Sequence, residues 1–207
     1  MAKLYFRYGA MNSGKSTALL QAAFNYEERG HRVLLAKPSV DTKGSGIISR
    51  LGVEREVDFR IVPGVSVLEL FDAERARVNR LHGQPVSCLL IDEAQFLTPP
   101  QVRQLHRMAH VDHLPVICWG LRSDFRGDAF PGAATLLTLA DEVEEMKSVC
   151  ACARKATMNL RVDAQGRRVR EGEQVVIGGN DRYRAVCPSC FYNDDAVDRE
   201  QAPGLFG

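Results

Sequence analysis

The sequence predicts an α/β fold: a parallel sheet with helices on both faces, followed by a small C-terminal module held together by metal-binding cysteines. Three observations predict it. Short apolar or β-branched runs alternate with segments of helical periodicity. A glycine-containing stretch, GAMNSGKS at residues 9–16, stands directly behind the apolar run LYFRY. Two close cysteine pairs, Cys150 with Cys152 and Cys187 with Cys190, occupy the part of the chain where the alternation stops.

The first strand is read at Leu4 to Tyr8. Behind it, Ser16 to Arg29 carries Leu19, Leu20, Ala23, Phe24 and Tyr26 at helical spacing and stops at Gly30, a residue that favours a helix C-terminus. Further strands are read at Arg32 to Lys37, Val57 to Val62, Val86 to Ile91 and Pro115 to Trp119. Ser66 with Glu69 and Thr98 with Gln101 have the spacing of capping boxes, and Pro99 suits a first helical position, so two more helices start there. From about Val143, turn residues and short extended pieces take over. The expected organisation is a nucleotide-binding α/β domain over residues 1–142, a small zinc-binding module over 143–192, and a disordered polar tail over 193–207.

A chain of 207 residues with 45% hydrophobic residues supports one substantial core and a small satellite. Its formal net charge of +1 leaves no basic field that would favour nucleic acid or an anionic membrane as the main partner. The N-terminus MAKLYFRYGAMN has no secretory pattern, and no run of about 18 apolar residues occurs, so a cytoplasmic location is expected. In a reducing compartment, close cysteine pairs are metal ligands rather than disulfides.

The opening stretch fits G-x-x-x-x-G-K-[ST] at Gly9, Gly14, Lys15 and Ser16, with a strand before it and a helix after it. Such a loop turns backbone N–H groups around phosphate oxygens at a helix N-terminus. Lys15 would reach the β- and γ-phosphates of ATP, and the Ser16 hydroxyl would ligate Mg²⁺. CLLIDEAQF, residues 88–96, supplies the companion: a buried strand ending in Asp92 beside the phosphate loop, which makes Asp92 the expected Mg²⁺ partner. Glu93 can point to a different neighbour and act on the nucleophile. Cys88 and Cys118, inside apolar runs, are read as small core residues. The fold class is thus a P-loop (RecA-like) parallel sheet.

Two rivals share these features. The run Asp92 to Gln95 also looks like a helicase motif, but such motors close their ATP site between two sheet domains, for which this chain is too short. A regulatory GTPase would carry an N-K-x-D element, which the sequence lacks. A small-molecule phosphotransferase remains, with a P-loop ATPase or nucleic-acid motor carrying a zinc ribbon as the alternative. Cys150, Cys152, Cys187 and Cys190 make a Cys₄ structural zinc site, since four thiolates leave no open position for catalysis. Arg167, Arg168 and Arg170 are read as a solvated hairpin turn.

Over roughly residues 3–192 the chain resembles the thymidine kinases of the cytosolic type II class. The resemblance rests on GAMNSGKS, DTK at Asp41 to Lys43, DEAQF, GLRSDFRG from Gly120 to Gly127, and VIGGNDRY from Val176 to Tyr183 between the cysteine pairs. It implies transfer of the ATP γ-phosphate to the 5′-hydroxyl of thymidine, in a homotetramer restrained by TTP as feedback inhibitor. It implies Glu93 as general base. Gly9, Ala10, Met11, Asn12, Ser13, Gly14, Lys15 and Ser16, with Asp92 and Gln95, would line the phosphate and Mg²⁺ side. Met11, Phe96, Leu121, Phe125 and Phe130 would wall the thymine ring and sugar. Val176, Ile177, Gly178, Gly179 and Tyr183 would belong to a loop that folds over the base and reads it through backbone groups. Arg122 stands where many members of the class carry Asp, and Asn159 where the animal enzymes carry Thr; both bear on how strictly thymidine is preferred to deoxyuridine.

Overall fold

A computed structural model describes residues 1–40, 46–48, 52–174 and 182–193 of the chain. The elements run β1 (Leu4–Tyr8), α1 (Lys15–Glu27), β2 (Arg32–Pro38), β3 (Gly46–Ile48), β4 (Glu54–Glu56), β5 (Phe59–Ile61), α2 (Val67–His82) and β6 (Val86–Ile91). A 3₁₀ turn (Ala94–Phe96) leads to α3 (Pro99–His110), β7 (Val116–Gly120), α4 (Pro131–Leu139) and β8 (Glu142–Glu145). Six of these strands form one sheet in the order β5-β2-β6-β7-β1-β8, and every adjacent pair is parallel.

The period of two along each strand sorts the apolar side chains onto two faces. Leu4 and Phe6 of β1, Leu34 and Ala36 of β2, Leu89 and Ile91 of β6, and Val116 and Cys118 of β7 pack under α2, α3 and α4. The alternate positions Val33, Leu35, Cys88, Leu90, Ile117 and Trp119 meet Leu19, Leu20 and Ala23 of α1 and Ile47 of β3. Each fully buried Leu, Ile or Phe in these layers contributes about 1.5–3 kcal/mol. Cys88 and Cys118 are fully buried. Burial pushes the Cys88 thiol up to about 12, so both cysteines are inert packing residues.

The caps follow the expected chemistry. Ser66 Oγ accepts a hydrogen bond from Glu69 N at 3.4 Å at the start of α2. At the start of α3 the capping box is complete, with Thr98 N donating to Gln101 Oε1 at 3.0 Å and Pro99 in the first turn. Gln101 also donates to the carbonyls of Val62 and Val65 at 2.8 and 3.0 Å, so the cap residue fastens the loop ahead of α2 as well.

Strand ends differ from the sequence reading by one or two residues at β5 and β7. The short strands β3 and β4, the helix α4 and the strand β8 were not expected. The sequence PGAATLLTL of α4 has no capping side chain and no polar face to betray a period. β8, with sequence EVEE, is mostly exposed and lies at the sheet edge. It is held beside β1 by the parallel backbone ladder, with the exposed pairs Lys3–Glu142 at 2.5 Å and Arg7–Glu144 at 3.0 Å across the edge in place of buried apolar side chains. The main sheet therefore runs on to Glu145, past the change of composition at residues 142–143.

The C-terminal part continues with β9 (Ser148–Val149), β10 (Lys155–Ala156), β11 (Met158–Val162), β12 (Arg168–Val169), β13 (Tyr183–Val186) and α5 (Pro188–Tyr192). β9 pairs with β10, and β12-β11-β13 form an antiparallel sheet. Their core is small: Cys150, Ala156, Leu160, Val186, Cys187 and Phe191. Arg168, expected in a solvated turn, lies over the Phe191 ring at 4.6 Å and donates to the Phe191 carbonyl, because a long aliphatic stem covers an otherwise open aromatic. The segments Asp41 to Lys43 and Val176 to Gly179 and residues 194–207 lie outside the described residues. Among the described residues, no helix is long and apolar enough to cross a membrane.

The packing of α4 yields a test. A Cβ on Gly132 would overlap the Leu97 carbonyl oxygen and come within 2.8 Å of that of Gln95, both fixed backbone. Gly132→Ala is expected to cost about 1–3 kcal/mol, as overpacking does. Differential scanning calorimetry should show the thermal midpoint lowered by roughly 2–12 °C; an unchanged midpoint would mean that the turn moves aside freely.

Candidate functional site

The phosphate loop leaves β1 and enters α1 through two left-handed residues, Asn12 at φ 65° and Gly14 at φ 78°. Gly14 is the N-cap of α1, which has no side-chain cap and no acidic residue in its first turn. The first N–H groups of α1 are thus left for an anion. Lys15 Nζ donates to the carbonyls of Ala10 and Gly9 at 2.8 and 3.3 Å and to Ser13 Oγ at 3.4 Å. The ammonium therefore lies in the concavity of its own loop.

Ser16 Oγ donates to Asp92 Oδ2 at 3.0 Å, which joins the start of α1 to the end of β6. Burial pushes the Asp92 carboxyl up to about 7, helped by the neighbouring Glu93 charge and opposed by Ser16 and Lys15. A buried carboxylate with a hydroxyl beside it is a hard-oxygen donor set, and a bound cation would relieve its desolvation. Ser16 and Asp92 thus fit Mg²⁺.

Glu93 adopts φ 51° and ψ 36°, a left-handed conformation that costs a non-glycine residue about 1–3 kcal/mol and clusters at functional sites. Glu93 Oε2 accepts from Gln95 Nε2 at 2.6 Å, and Gln95 Oε1 accepts from Leu121 N at 3.0 Å. Buried Gln95 thereby ties the acid at the end of β6 to the backbone just after β7.

Three of the apolar residues, Phe96, Leu121 and Phe130, gather on one side of the sheet. Phe96 and Phe130 meet edge to face at 5.6 Å, and both belong to or pack against the core under α3 and α4, as does Leu121. Phe125 is buried beneath the Arg161 guanidinium, 3.8 Å from its ring centre. Met11 N donates to Asn159 Oδ1 at 2.8 Å, and Asn159 Nδ2 donates to Ser123 O at 3.4 Å. Asn159 thus bridges the phosphate loop and the segment after β7. Arg122 reaches the Thr157 carbonyl at 3.5 Å and lies over Tyr8 at 5.9 Å. Tyr183 is paired with Arg161 across β11 and β13. The contacts of Asn159 with Met11 and Ser123, of Arg161 with Phe125 and of Asp124 with Gln174 have no counterpart in the local sequence pattern, since each joins segments far apart in the chain. Only the interruption of an apolar strand by Asn159 and Arg161 hinted at them.

Cys150, Cys152, Cys187 and Cys190 place their sulfurs within 4.8 Å of one another, with Cys152 and Cys187 3.6 Å apart and no disulfide formed. A tetrahedral ion with bonds of about 2.3 Å needs sulfur separations of roughly 3.8 Å. Cys187 Sγ also accepts from Cys190 N at 3.4 Å, a donor that suits a thiolate. The backbone N–H of Arg154 helps bring the Cys152 thiol down to about 7. The donor set fits zinc.

A phosphate loop entering a helix, a buried strand-end carboxylate bonded to the loop serine, and a second acid beside it define a P-loop nucleotide-binding enzyme of the phosphotransferase kind. The family model for thymidine kinase matches residues 2–191. A protein named thymidine kinase from Albidiferax ferrireducens is 54% identical over 202 residues, covering 97% of each chain. Another from Chromobacterium violaceum is 54% identical over 196 residues, 94% of this chain and 100% of its own. A third, from Yersinia pestis, is 49% identical over 189 residues, 90% and 93% of the two chains. The chain belongs to the thymidine kinase family, and so to the ATP-dependent nucleoside kinases. Among solved structures, a Pif1 helicase from Candida albicans overlaps 72% of this chain and 37% of its own at a TM-score of 0.39 and 13% identity, a likeness too slight to bear on function.

The cysteine geometry makes its own prediction. Freshly purified protein should contain about one zinc per chain by elemental analysis, and Cys187→Ser should lose it and melt at a lower temperature, because a structural ion's binding energy is folding energy. Zinc well below one per chain in the unaltered protein would argue against the site.

Proposed function

We propose that the protein transfers the γ-phosphate of ATP to the 5′-hydroxyl of thymidine, with deoxyuridine as a further acceptor, to give ADP and the nucleoside monophosphate. Family membership supports the reaction. The observation that carries the assignment of roles is the placement of Glu93: strained, anchored by Gln95, and next in sequence to the carboxylate that bonds to Ser16 of the phosphate loop.

In this reading the loop from Gly9 to Ser16 holds the phosphates through its backbone, and Lys15 turns from its own carbonyls to the β- and γ-oxygens. Ser16 and Asp92 hold Mg²⁺, which when bound neutralises charge on those oxygens. Glu93 orients the 5′-hydroxyl and accepts its proton, a contribution of about 10²–10⁴-fold. Little covalent chemistry is asked of the protein, because phosphoryl transfer is accelerated mainly by positioning and charge. Met11, Phe96, Leu121, Phe125 and Phe130 enclose the nucleoside, with Val176, Ile177, Gly178, Gly179 and Tyr183 closing over the base. The zinc module, reaching from about residue 143 to 192, serves as the support of that closing segment. A homotetramer, inhibition by TTP through the same base contacts, a cytoplasmic location and a dispensable tail belong to the same proposal.

Two measurements test it. Incubation with ATP, Mg²⁺ and a nucleoside panel should consume ATP with thymidine and not without nucleoside, whereas a P-loop ATPase would consume it in either case. Glu93→Gln should keep nucleotide binding and the fold while lowering kcat by about 10²–10⁴-fold. Turnover within threefold of the unaltered enzyme would remove Glu93 from the role of base.

A further inference from the structure

β11 has two faces with different duties. Leu160 points into the cysteine core, while Asn159 and Arg161, one residue either side, reach toward the phosphate domain. Asn159 holds the phosphate loop at Met11 N, as described above. Arg161 is the less expected residue, because a guanidinium 7% exposed is costly unless its donors are met. They are met by backbone. Nη2 donates to the Glu171 carbonyl at 2.8 Å and Nη1 to the Glu173 carbonyl at 2.9 Å. The plane of the same group lies on the face of Phe125, 3.8 Å from the ring centre.

The intervening Gly172 fits this arrangement closely. Its φ is +117°, and a Cβ there would stand 2.6 Å from Arg161 Nη2, so the backbone can wrap the guanidinium only as glycine. One step further, Gln174 Nε2 donates to Asp124 Oδ2 at 3.1 Å. Asp124 is itself buried and accepts from the backbone N–H groups of Arg126 and Asp128 at 2.8 and 2.9 Å. The stretch 171–174 is therefore fastened at two points to the segment that carries Phe125. On the other side, Arg161 is the antiparallel register partner of Tyr183. The stretch before residues 175–181 bonds to the Arg161 side chain, and the strand after them pairs with the Arg161 backbone.

We propose that Arg161 is a positioning residue for the nucleoside side of the site: its guanidinium sets Phe125 and the 171–174 backbone against each other. The hydrogen bonds and ring contact given above for Arg161 among the described residues lie with Glu171, Glu173 and Phe125, on the nucleoside side, so its loss weakens nucleoside binding while the ATP side is retained. The inference rests on the reading of the site as a thymidine site. Lysine is no substitute, because a single ammonium cannot bond two carbonyls in a fixed fork and stack on a ring at once.

The test is steady-state kinetics of Arg161→Lys, Arg161→Gln and Gly172→Ala on the zinc-loaded full chain, varying thymidine and ATP separately. The expected result is a thymidine KM raised at least tenfold in all three, with the ATP KM and the zinc content within twofold of the unaltered enzyme and kcat falling by less than the KM rises. Should Arg161→Gln not fold, the lysine and alanine variants carry the measurement. A thymidine KM within twofold in Arg161→Lys would overturn the proposal, since it would reduce the residue to a charge. Equal rises in both KM values would overturn it too, since they would mark a general loss of structure. An unaltered enzyme that consumes ATP without regard to thymidine would instead remove the proposed function, and this inference with it.

Discussion

The hydrogen bond from Ser16 to Asp92, at 3.0 Å, spans the C-terminal edge of the sheet from the loop after β1 to the end of β6. Those two strands are not neighbours; β7 lies between them. The end of β7 acts as the strut on which both loops rest, since Gly9 N donates to the Gly120 carbonyl at 3.2 Å and Leu121 N donates to Gln95 Oε1 at 3.0 Å. Phosphate loop and candidate base are therefore both braced by one strand end, and the parallel register of β1, β6 and β7 fixes their height relative to Asp92. An open parallel sheet gathers its loops at this edge, where ligands of such folds bind.

The second constraint is that the C-terminal part cannot hold itself together by apolar burial alone. Its six-residue buried core includes two of the four cysteines. A metal held by the four sulfurs would compensate for that deficit, and β11 would carry the rigidity to the phosphate side: Leu160 lies toward the sulfurs, Asn159 and Arg161 toward Met11, Ser123 and Phe125. The two parts of the chain thus share a strand whose alternation, elsewhere a device for sorting apolar from polar, here sorts one set of duties from another.

What could be read from the sequence was local chemistry. GAMNSGKS, the strand-end DEAQF, the capping box of α3 and the cysteine pairs each declare themselves within a few residues, because the constraint acts between residues close in the chain. α4 and β8 were missed for opposite reasons: α4 has no polar face, and β8 has almost no buried one. Arg168 was misread because only the fold brings Phe191 beneath it. The fork of Arg161 was illegible for the same reason, as a buried arginine whose partners are carbonyls leaves no complementary acid to find.

Lys15, hydrogen-bonded to the carbonyls of Ala10 and Gly9, gives the nucleotide's arrival a particular character. Carbonyl dipoles turned toward one another would repel, and the ammonium between them offsets that repulsion in the absence of an anion. In the role proposed for Lys15, nucleotide entry would be an exchange of partners about the last torsions of one side chain, not a folding event. Preorganisation of this kind lowers the entropic cost of association, while the contacts surrendered cap the affinity that the new ones provide. A site built so would have a ready acceptor for the lysine when the diphosphate leaves, and release would not wait on the loop to refold.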